Sequence, residues 1–358
     1  MNKVFFGDCR DSLRQMAADG VKVQMCVTSP PYFGLRDYGH DGQLGMEETP
    51  DQFIAELVEV FRCVRDVLSD DGTLWLNIGD SYARTGGSDR KPSSTSSVGN
   101  TVRSMEAMPD RRQRAPYGLK EKDLIGIPWL LAFALRADGW HLRQDIIWHK
   151  PNSMPESVTD RCTKAHEYMF LLSKAPRYFY NHEAIKEVAN CGARGSEFHT
   201  GKTGEHQLGR AQKVRPSKVR GDFVGKNILP GKEAFRAVVE MRNRRSVWSI
   251  ATKPYKGAHF AVFPEKLAEP CILAGSRIGD IVLDPFFGSG TTAAVAIQHG
   301  RQYIGCELNA DYKPLQDERI AHAIALVNAP LSVKVKRIKK FAHPEADSRQ
   351  MDIFGEKA

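Results

Sequence analysis

Val27-Thr28-Ser29-Pro30-Pro31-Tyr32 closes an apolar run in which Val21, Val23, Met25 and Val27 alternate with other residues, the period-2 pattern of a strand. Neither Pro30 nor Pro31 can donate to a ladder, so the strand stops there. A hydroxyl, the backbone carbonyls beside the prolines and an aromatic ring are thereby fixed together at a strand's C-terminal edge. Open α/β sheets place their ligands at that edge. Taken alone, the same residues also make an ordinary proline turn between strand and loop. A second stretch weighs against the plain turn: Asp284-Pro285-Phe286-Phe287-Gly288-Ser289-Gly290-Thr291.

This second stretch joins a short strand, Asp280-Ile281-Val282-Leu283, to an Ala- and Val-rich helix over 291–299 that Gly300 caps. Strand, glycine turn and helix are the setting a nucleotide-binding turn requires. Gly288 and Gly290 let the backbone approach a ligand closely, and the helix start at Thr291 offers free N–H groups. Glu307 ends the next strand, 302–307, about 20 residues further on, where an acid accepts both hydroxyls of a ribose. The third glycine of the dinucleotide pattern is missing, and no phosphate-binding lysine loop is present. A ligand with a ribose and no pyrophosphate therefore fits better than NAD or ATP. S-adenosyl-L-methionine is such a ligand, and its ammonium suits Asp284. The alternative is a Rossmann-like turn that holds nothing.

The rest of the chain supplies an α/β frame. Residues 3–6 read as a strand broken at Gly7-Asp8, with Asp8 either capping the next helix or facing a ligand. A helix through Leu13 and Met16 follows, and after the proline edge comes a glycine-punctuated loop, Phe33-Gly34-Leu35-Arg36-Asp37-Tyr38-Gly39. Thr49-Pro50-Asp51-Gln52 is a capping box with proline at the first helical position. Phe53, Leu57, Val60, Phe61, Val64 and Leu68 recur at helical spacing, and Asp71-Gly72 is expected to end that helix. Thr73-Leu74-Trp75-Leu76-Asn77-Ile78 reads as a buried strand, completing the unit of a parallel sheet. A helix is expected over 128–137, stopped by Gly139, and strands near 142–148 and 167–172. Phe263-Pro264-Glu265 opens another helix, and a last one runs to about residue 328.

Two regions break the pattern. Residues 84–120 are rich in Ser, Gly, Pro and basic side chains, a long loop of the functional or unstructured kind. Residues 192–256 hold fifteen Lys or Arg against five acids, more positive charge than the +8 of the whole chain. The remainder is thus close to neutral, and charge this concentrated is the footprint of phosphate contacts. The plainer alternative is a solvated surface insertion. Phe198, Phe223 and Phe235 are interleaved with it and suit wedging or stacking. The seven cysteines are scattered without a C-x-x-C pair, which argues for reduced structural thiols in the cytoplasm and against a metal site. No apolar run approaches the roughly 18 residues of a membrane span, and the N-terminal apolar stretch is too short for a signal peptide.

Together these stretches resemble the DNA amino-methyltransferases. Val27-Thr28-Ser29-Pro30-Pro31-Tyr32 resembles their catalytic motif in its serine form, and 283–292 closely resembles their S-adenosylmethionine motif. Gly7-Asp8-Cys9 is similar to the segment whose aspartate contacts the cofactor. His259-Phe260-Ala261-Val262-Phe263-Pro264 matches the segment that closes over the methionine tail. The order of catalytic motif, basic region and cofactor motif is that family's permuted β arrangement.

The resemblance implies a Rossmann-like α/β methyltransferase fold with circularly permuted motifs and basic insertions. It divides the chain into a catalytic half (1–190, carrying the basic loop 84–120), a target-recognition region (191–256), a cofactor-binding half of the same domain (257–328) and a polar tail (329–358). Its implied catalytic residues are Ser29, Pro30, Pro31 and Tyr32. Those for the cofactor are Asp8, Phe263, Asp284, Phe286, Gly288, Ser289, Gly290, Thr291 and Glu307.

The chemistry is coherent with the residues. An exocyclic amine is a poor nucleophile because its lone pair is delocalised into the base. The Ser29 hydroxyl and the carbonyl after it can accept its N–H groups and localise that pair, so rate comes from positioning and electrostatics. Tyr32 would stack on a base flipped out of double-stranded DNA. The chain's Pro-Cys pair, Pro270-Cys271, falls in the helix that Phe263-Pro264-Glu265 opens and is not read as catalytic, which argues against carbon-5 methylation. The serine form favours N4 of cytosine, with N6 of adenine as the alternative. An RNA methyltransferase and a non-catalytic DNA-binding regulator are the further rivals. In the tail, Gln350-Met351-Asp352-Ile353-Phe354 resembles the short peptide by which bacterial replication proteins bind the sliding clamp. These features imply a cytoplasmic protein of bacterial or phage origin.

Overall fold

The computed structural model describes residues 1–35, 39–40, 42–83, 118–188, 241–252 and 264–329. Phe263, residues 84–117 of the first basic loop, residues 189–240 of the second and the clamp-like peptide at 350–354 lie outside the described residues.

The central sheet is built from β1 (Lys3–Phe6), β2 (Val23–Thr28), β3 (Leu68–Ile78), β4 (His141–His149), β5 (His166–Ser173), β8 (Val247–Ser249), β9 (Ile281–Asp284) and β10 (Gln302–Glu307). Their order across the sheet is β1-β10-β9-β2-β3-β5-β4-β8. The first five run parallel. Strand β5 is antiparallel to both neighbours, and β8 lies parallel to β4 at the edge.

Alternate residues of each strand go to opposite sides. Leu74, Leu76, Ile78, Phe170, Leu172, Leu283, Ile304 and Cys306 join one apolar cluster. It also takes the inner faces of helices α1 (Cys9–Ala18), α2 (Pro50–Val67) and α3 (Ile127–Ala137). On the other side Trp75 stacks on Trp248. Met25 and Trp75 there lie against Gly275 at the end of α4 (Glu265–Gly275). Helices α5 (Thr291–Gln298) and α6 (Lys313–Asn328) complete the unit. All six residues of β2 are buried. Its alternation marks a strand, but with helices on both faces neither side meets water.

Thr49 caps α2 through the expected capping box with Gln52. The helix stops earlier than expected, however, at Val67, and β3 begins at once with Leu68. Asp71-Gly72 therefore lies inside the strand. Val23 pairs with Leu68 and Met25 with Thr73, so residues 69–72 bulge out of the ladder. A Cβ on Gly72 would come within 2.9 Å of the Gln24 carbonyl, which is why the bulge closes on glycine.

A second compact unit spans His182–Arg245. Among its described residues β6 (Glu187–Val188) pairs antiparallel with β7 (Met241–Arg242), and Glu187 binds the guanidinium groups of Arg242 and Arg245. This compact unit ends at Arg245, inside the 191–256 stretch set apart in the sequence. Residues 246–252 belong to the sheet unit, where Trp148 donates to the Ile250 carbonyl at 2.8 Å and β8 extends the ladder of β4. A run of three residues inside a basic stretch carries too little periodicity to read as a strand.

The sheet order sets where a ligand can go. From β9 the chain moves to β10 on one side, whereas from β2 it moves to β3 on the other. The two adjacent strands thus flank a topological switch point, and a crevice opens beyond their carboxyl ends. Phe287 helps shape that crevice. Its ring packs flat on Gly305 of β10, stacks on Tyr303, and its N–H donates to the Cys306 carbonyl at 2.9 Å. A Cβ on Gly305 would overlap the ring. Gly305→Ala is expected to lower stability by about 1–3 kcal/mol, the cost of overpacking, read from urea midpoints; an unchanged midpoint would show that the ring can move aside.

Candidate active site

The carboxyl ends of β2 and β9 are tied together by one buried carboxylate. Asp284, 5% exposed, accepts from the Thr28 hydroxyl at 2.6 Å, the Thr292 hydroxyl at 2.6 Å and the Phe286 N–H at 3.1 Å. Burial raises its carboxyl above the ordinary range, against the lowering effect of these donors. The last residue of the proline-edge strand and the first turn of α5 therefore share one anion. Beyond the ammonium role expected of it, Asp284 positions the two turns against each other.

The turn after β9 is held from both sides. Gly288 donates to Glu307 Oε2 at 2.7 Å, and its carbonyl accepts from Gln316 at 2.7 Å. Gly290 caps α5 with φ of 81°, a left-handed conformation that suits glycine. Glu307 Oε1 accepts from the Asn309 N–H at 2.9 Å. Burial raises this carboxyl to about 7, against the lowering effect of its backbone donors. Asp8 does cap α1, accepting from the Arg10 N–H at 2.8 Å, and it pairs with the Arg10 guanidinium at 2.6 Å. Burial alone would raise Asp8, but the bonds to Arg10 hold it below the ordinary carboxylate range.

At the proline edge a hydrogen-bond network continues away from Ser29. Its hydroxyl lies 3.3 Å from Asn77 Oδ1. The Asn77 amide nitrogen donates to the Tyr168 carbonyl at 3.0 Å and to Glu167 at 3.3 Å. Both partners only accept, so the amide must present its oxygen to Ser29, and Ser29 must donate to it. The lone pairs of the Ser29 oxygen then remain for another donor. Tyr32 donates to Glu167 at 2.8 Å, and its ring lies over Gly79, where a Cβ would come within 2.5 Å of it. Lys150 forms an ion pair with Glu167. Among the described residues no hydrogen bond ends on the Pro30 carbonyl.

A single cavity of about 420 Å³ joins these parts. Ser29, Pro30, Pro31 and Tyr32 line it at one end. Asp8, Asp284, Phe286, Gly288, Ser289, Thr291 and Glu307 line it at the other. Gly290 stands behind the wall as the cap of α5, and Phe263 lies outside the described residues. Asn77, Trp148, Lys150 and Glu167 also line the cavity and were not singled out from the sequence. Asn77 had a signal, as a polar residue in the otherwise apolar stretch Thr73–Ile78. Lys150 and Glu167 stand at strand ends that meet only through the β4–β5 ladder. Burial raises the Cys9 thiol on the cavity wall to about 12, which removes it as a nucleophile at neutral pH.

A model of the N6/N4 DNA methylase family matches residues 23–318. The type II methyltransferase M.Cfr9I of Citrobacter freundii is 44% identical over 317 residues, covering 88% of this chain and 87% of its own. M.SmaI of Serratia marcescens, also a type II methyltransferase, is 45% identical over 318 residues, covering 89% and 90%. Among solved structures, the cytosine-N4-specific PvuII DNA methyltransferase superposes with a TM-score of 0.55 at 16% identity, covering 95% of this chain and 91% of that one. A protein of Thermus thermophilus, complexed with S-adenosyl-L-methionine, gives a TM-score of 0.51 at 22% identity, covering 90% and 95%. At those identities the structural likeness establishes the fold.

The raised Glu307 carboxyl has a consequence for stability. Between 4.5 and about 7 the folded chain keeps a proton that the unfolded chain releases, so this group makes stability fall as pH rises through that window. Glu307→Gln is expected to flatten the fall in thermal midpoint across the same window. A slope equal to that of the wild type would contradict the raised carboxyl.

Proposed function

This chain belongs to the N6/N4 DNA methylase family, and from that premise we propose that it methylates N4 of a cytosine flipped out of duplex DNA, with S-adenosyl-L-methionine as donor. We assign it to the modification side of a bacterial type II restriction–modification system, the class named for its relatives. The observation that carries the reading is the single cavity in which the proline edge and the glycine turn face the same space.

The donor supplies an electrophilic methyl group on a sulfonium. The residues present fit it: a cavity of about 420 Å³ lies within the usual range for small-molecule sites. One end of that cavity carries three carboxylates, Asp8, Asp284 and Glu307. Glu307, at the end of β10, is assigned the ribose hydroxyls. Asp284 stands at the end assigned to the ammonium. Gly288, Ser289 and Thr291 bring backbone close, and Phe286 gives an apolar contact.

At the other end Ser29 donates to Asn77 and accepts an N–H of the target amine, while the Pro30 carbonyl accepts the second. With its N–H groups held in that geometry, the amine's lone pair is concentrated on nitrogen and directed at the methyl group. A bound donor would supply the methyl: the N–C bond would form from that pair as the sulfonium C–S bond breaks, S-adenosylhomocysteine would leave, and the methylated amine would lose its extra proton to water. Serine is too weak a base to drive this at neutral pH, so the site works by preorganised acceptors. Tyr32, fixed by Glu167 and Gly79, stacks on the flipped base. The serine form of the motif supports cytosine over adenine. The basic stretches 84–120 and 191–256 are assigned to gripping and reading the duplex.

The test is mass spectrometry of nucleosides from genomic DNA of a methylation-deficient host expressing this chain. N4-methylcytosine is expected. N6-methyladenine would move the target to adenine, and neither product would contradict DNA amino-methylation by this chain.

A further inference from the structure

Lys150 and Glu167 face the base end of the cavity, and the family motifs account for neither. Their side chains are 18% and 16% exposed, and they form an ion pair. Replacing such a pair by packed apolar residues is often neutral or stabilising, so stability alone is a weak reason to keep it. Glu167 is already supplied by the Tyr32 hydroxyl and the Asn77 amide. The unexplained group is the ammonium.

Contacts on several sides hold it in place. The Lys150 N–H donates to the Ala165 carbonyl at 2.7 Å, which fixes the backbone where β4 and β5 come together. The ammonium lies 4.2 Å from the centre of the Trp148 ring, held by the ring on one side and by Glu167 on the other. Among the described residues Glu167 is the only hydrogen-bond acceptor it reaches, and an ammonium has three N–H groups. That leaves donor capacity for a ligand. Among the described residues, Arg10 is the other Lys or Arg on the cavity wall, and it is bound to Asp8 and Glu56.

Hydrogen bonds link this ammonium to the amine site through Glu167, Asn77 and Ser29. A base whose amine sits on Ser29 and Pro30 presents the next atoms of its pairing edge along the same wall. In cytosine those are two adjacent acceptors, N3 and O2. In adenine they are one acceptor, N1, followed by a C–H. We infer that Lys150 donates to the N3/O2 edge of the flipped base and so selects cytosine over adenine. A site built to bond an oxygen discriminates strongly against a base that lacks it, because its own polar group is then left unpaired. The inference rests on the cytosine reading given above and adds the residue that enforces it.

The test compares Lys150→Met and Lys150→Gln with the wild type in three measurements. These are kcat/KM on unmethylated genomic DNA, affinity for S-adenosylhomocysteine, and affinity for a cytosine-free poly(dA-dT) duplex. Lys150→Met is expected to lose roughly 10- to 100-fold in kcat/KM, the effect of one charge-assisted hydrogen bond. Both affinities should be unchanged, and Lys150→Gln, which keeps donors, should recover part of the loss. Unchanged kcat/KM in both variants would overturn the inference. So would an equal loss on poly(dA-dT), which would make Lys150 a phosphate contact, or an equal loss of S-adenosylhomocysteine affinity, which would make it structural support. If Lys150→Met does not fold, Lys150→Ala, which keeps no donor, with full cofactor affinity and undiminished transfer overturns it alone. Production of N6-methyladenine by the wild type would refute the cytosine premise separately.

Discussion

The bond network of the buried Asp284 carboxylate is the constraint on which the site depends. A buried anion without a cation beside it is costly unless its lone pairs are filled. Here two threonine hydroxyls and a backbone N–H fill them. Because those donors come from the end of β2, the first turn of α5 and the turn between, satisfying the charge also fixes three backbone segments. Removing any donor would leave the carboxylate short of a partner, and the cost of that exceeds the value of the bond itself. The crevice at the switch point is therefore held open with a defined width.

The two ends of the cavity differ in electrostatic character. Acidic groups gather at the glycine-turn end, where Glu307 and Asp284 are both raised by burial. At the proline-edge end a serine, an amide, a tyrosine and a lysine–glutamate pair form one connected network. Among the described residues neither end offers an activated thiol, since burial raises those of both Cys9 and Cys306 on the wall. In the reaction proposed above, such a site accelerates transfer by holding acceptors where charge develops, and the orientation imposed by Asn77 leaves Ser29 with no rearrangement to make.

Much of this was legible in the sequence because it depends on local pattern. The capping box at Thr49, the strand over 302–307 and the Gly288-Ser289-Gly290 turn each declare themselves within a few residues, and each stands where expected. What was not legible depends on pairing between distant segments. That β2 lies beside β9, and so brings Thr28 to Asp284, follows from sheet order, which no window of residues encodes. Lys150 and Glu167 meet only after β4 and β5 take their register, so each alone looked like a charged residue at a strand end. The early end of α2 was misplaced because Asp71-Gly72 is a good helix stop and an equally good bulge.

The most direct measurement is single-turnover transfer of labelled methyl to unmethylated DNA by Ser29→Ala, with calorimetric binding of S-adenosylhomocysteine alongside. Removing one preorganised acceptor should slow transfer by about 100-fold or more, with cofactor affinity unchanged, because the glycine turn and Glu307 are intact. Transfer at the wild-type rate would contradict the assignment of Ser29 and, with it, the reading of the cavity as the place where the amine is held.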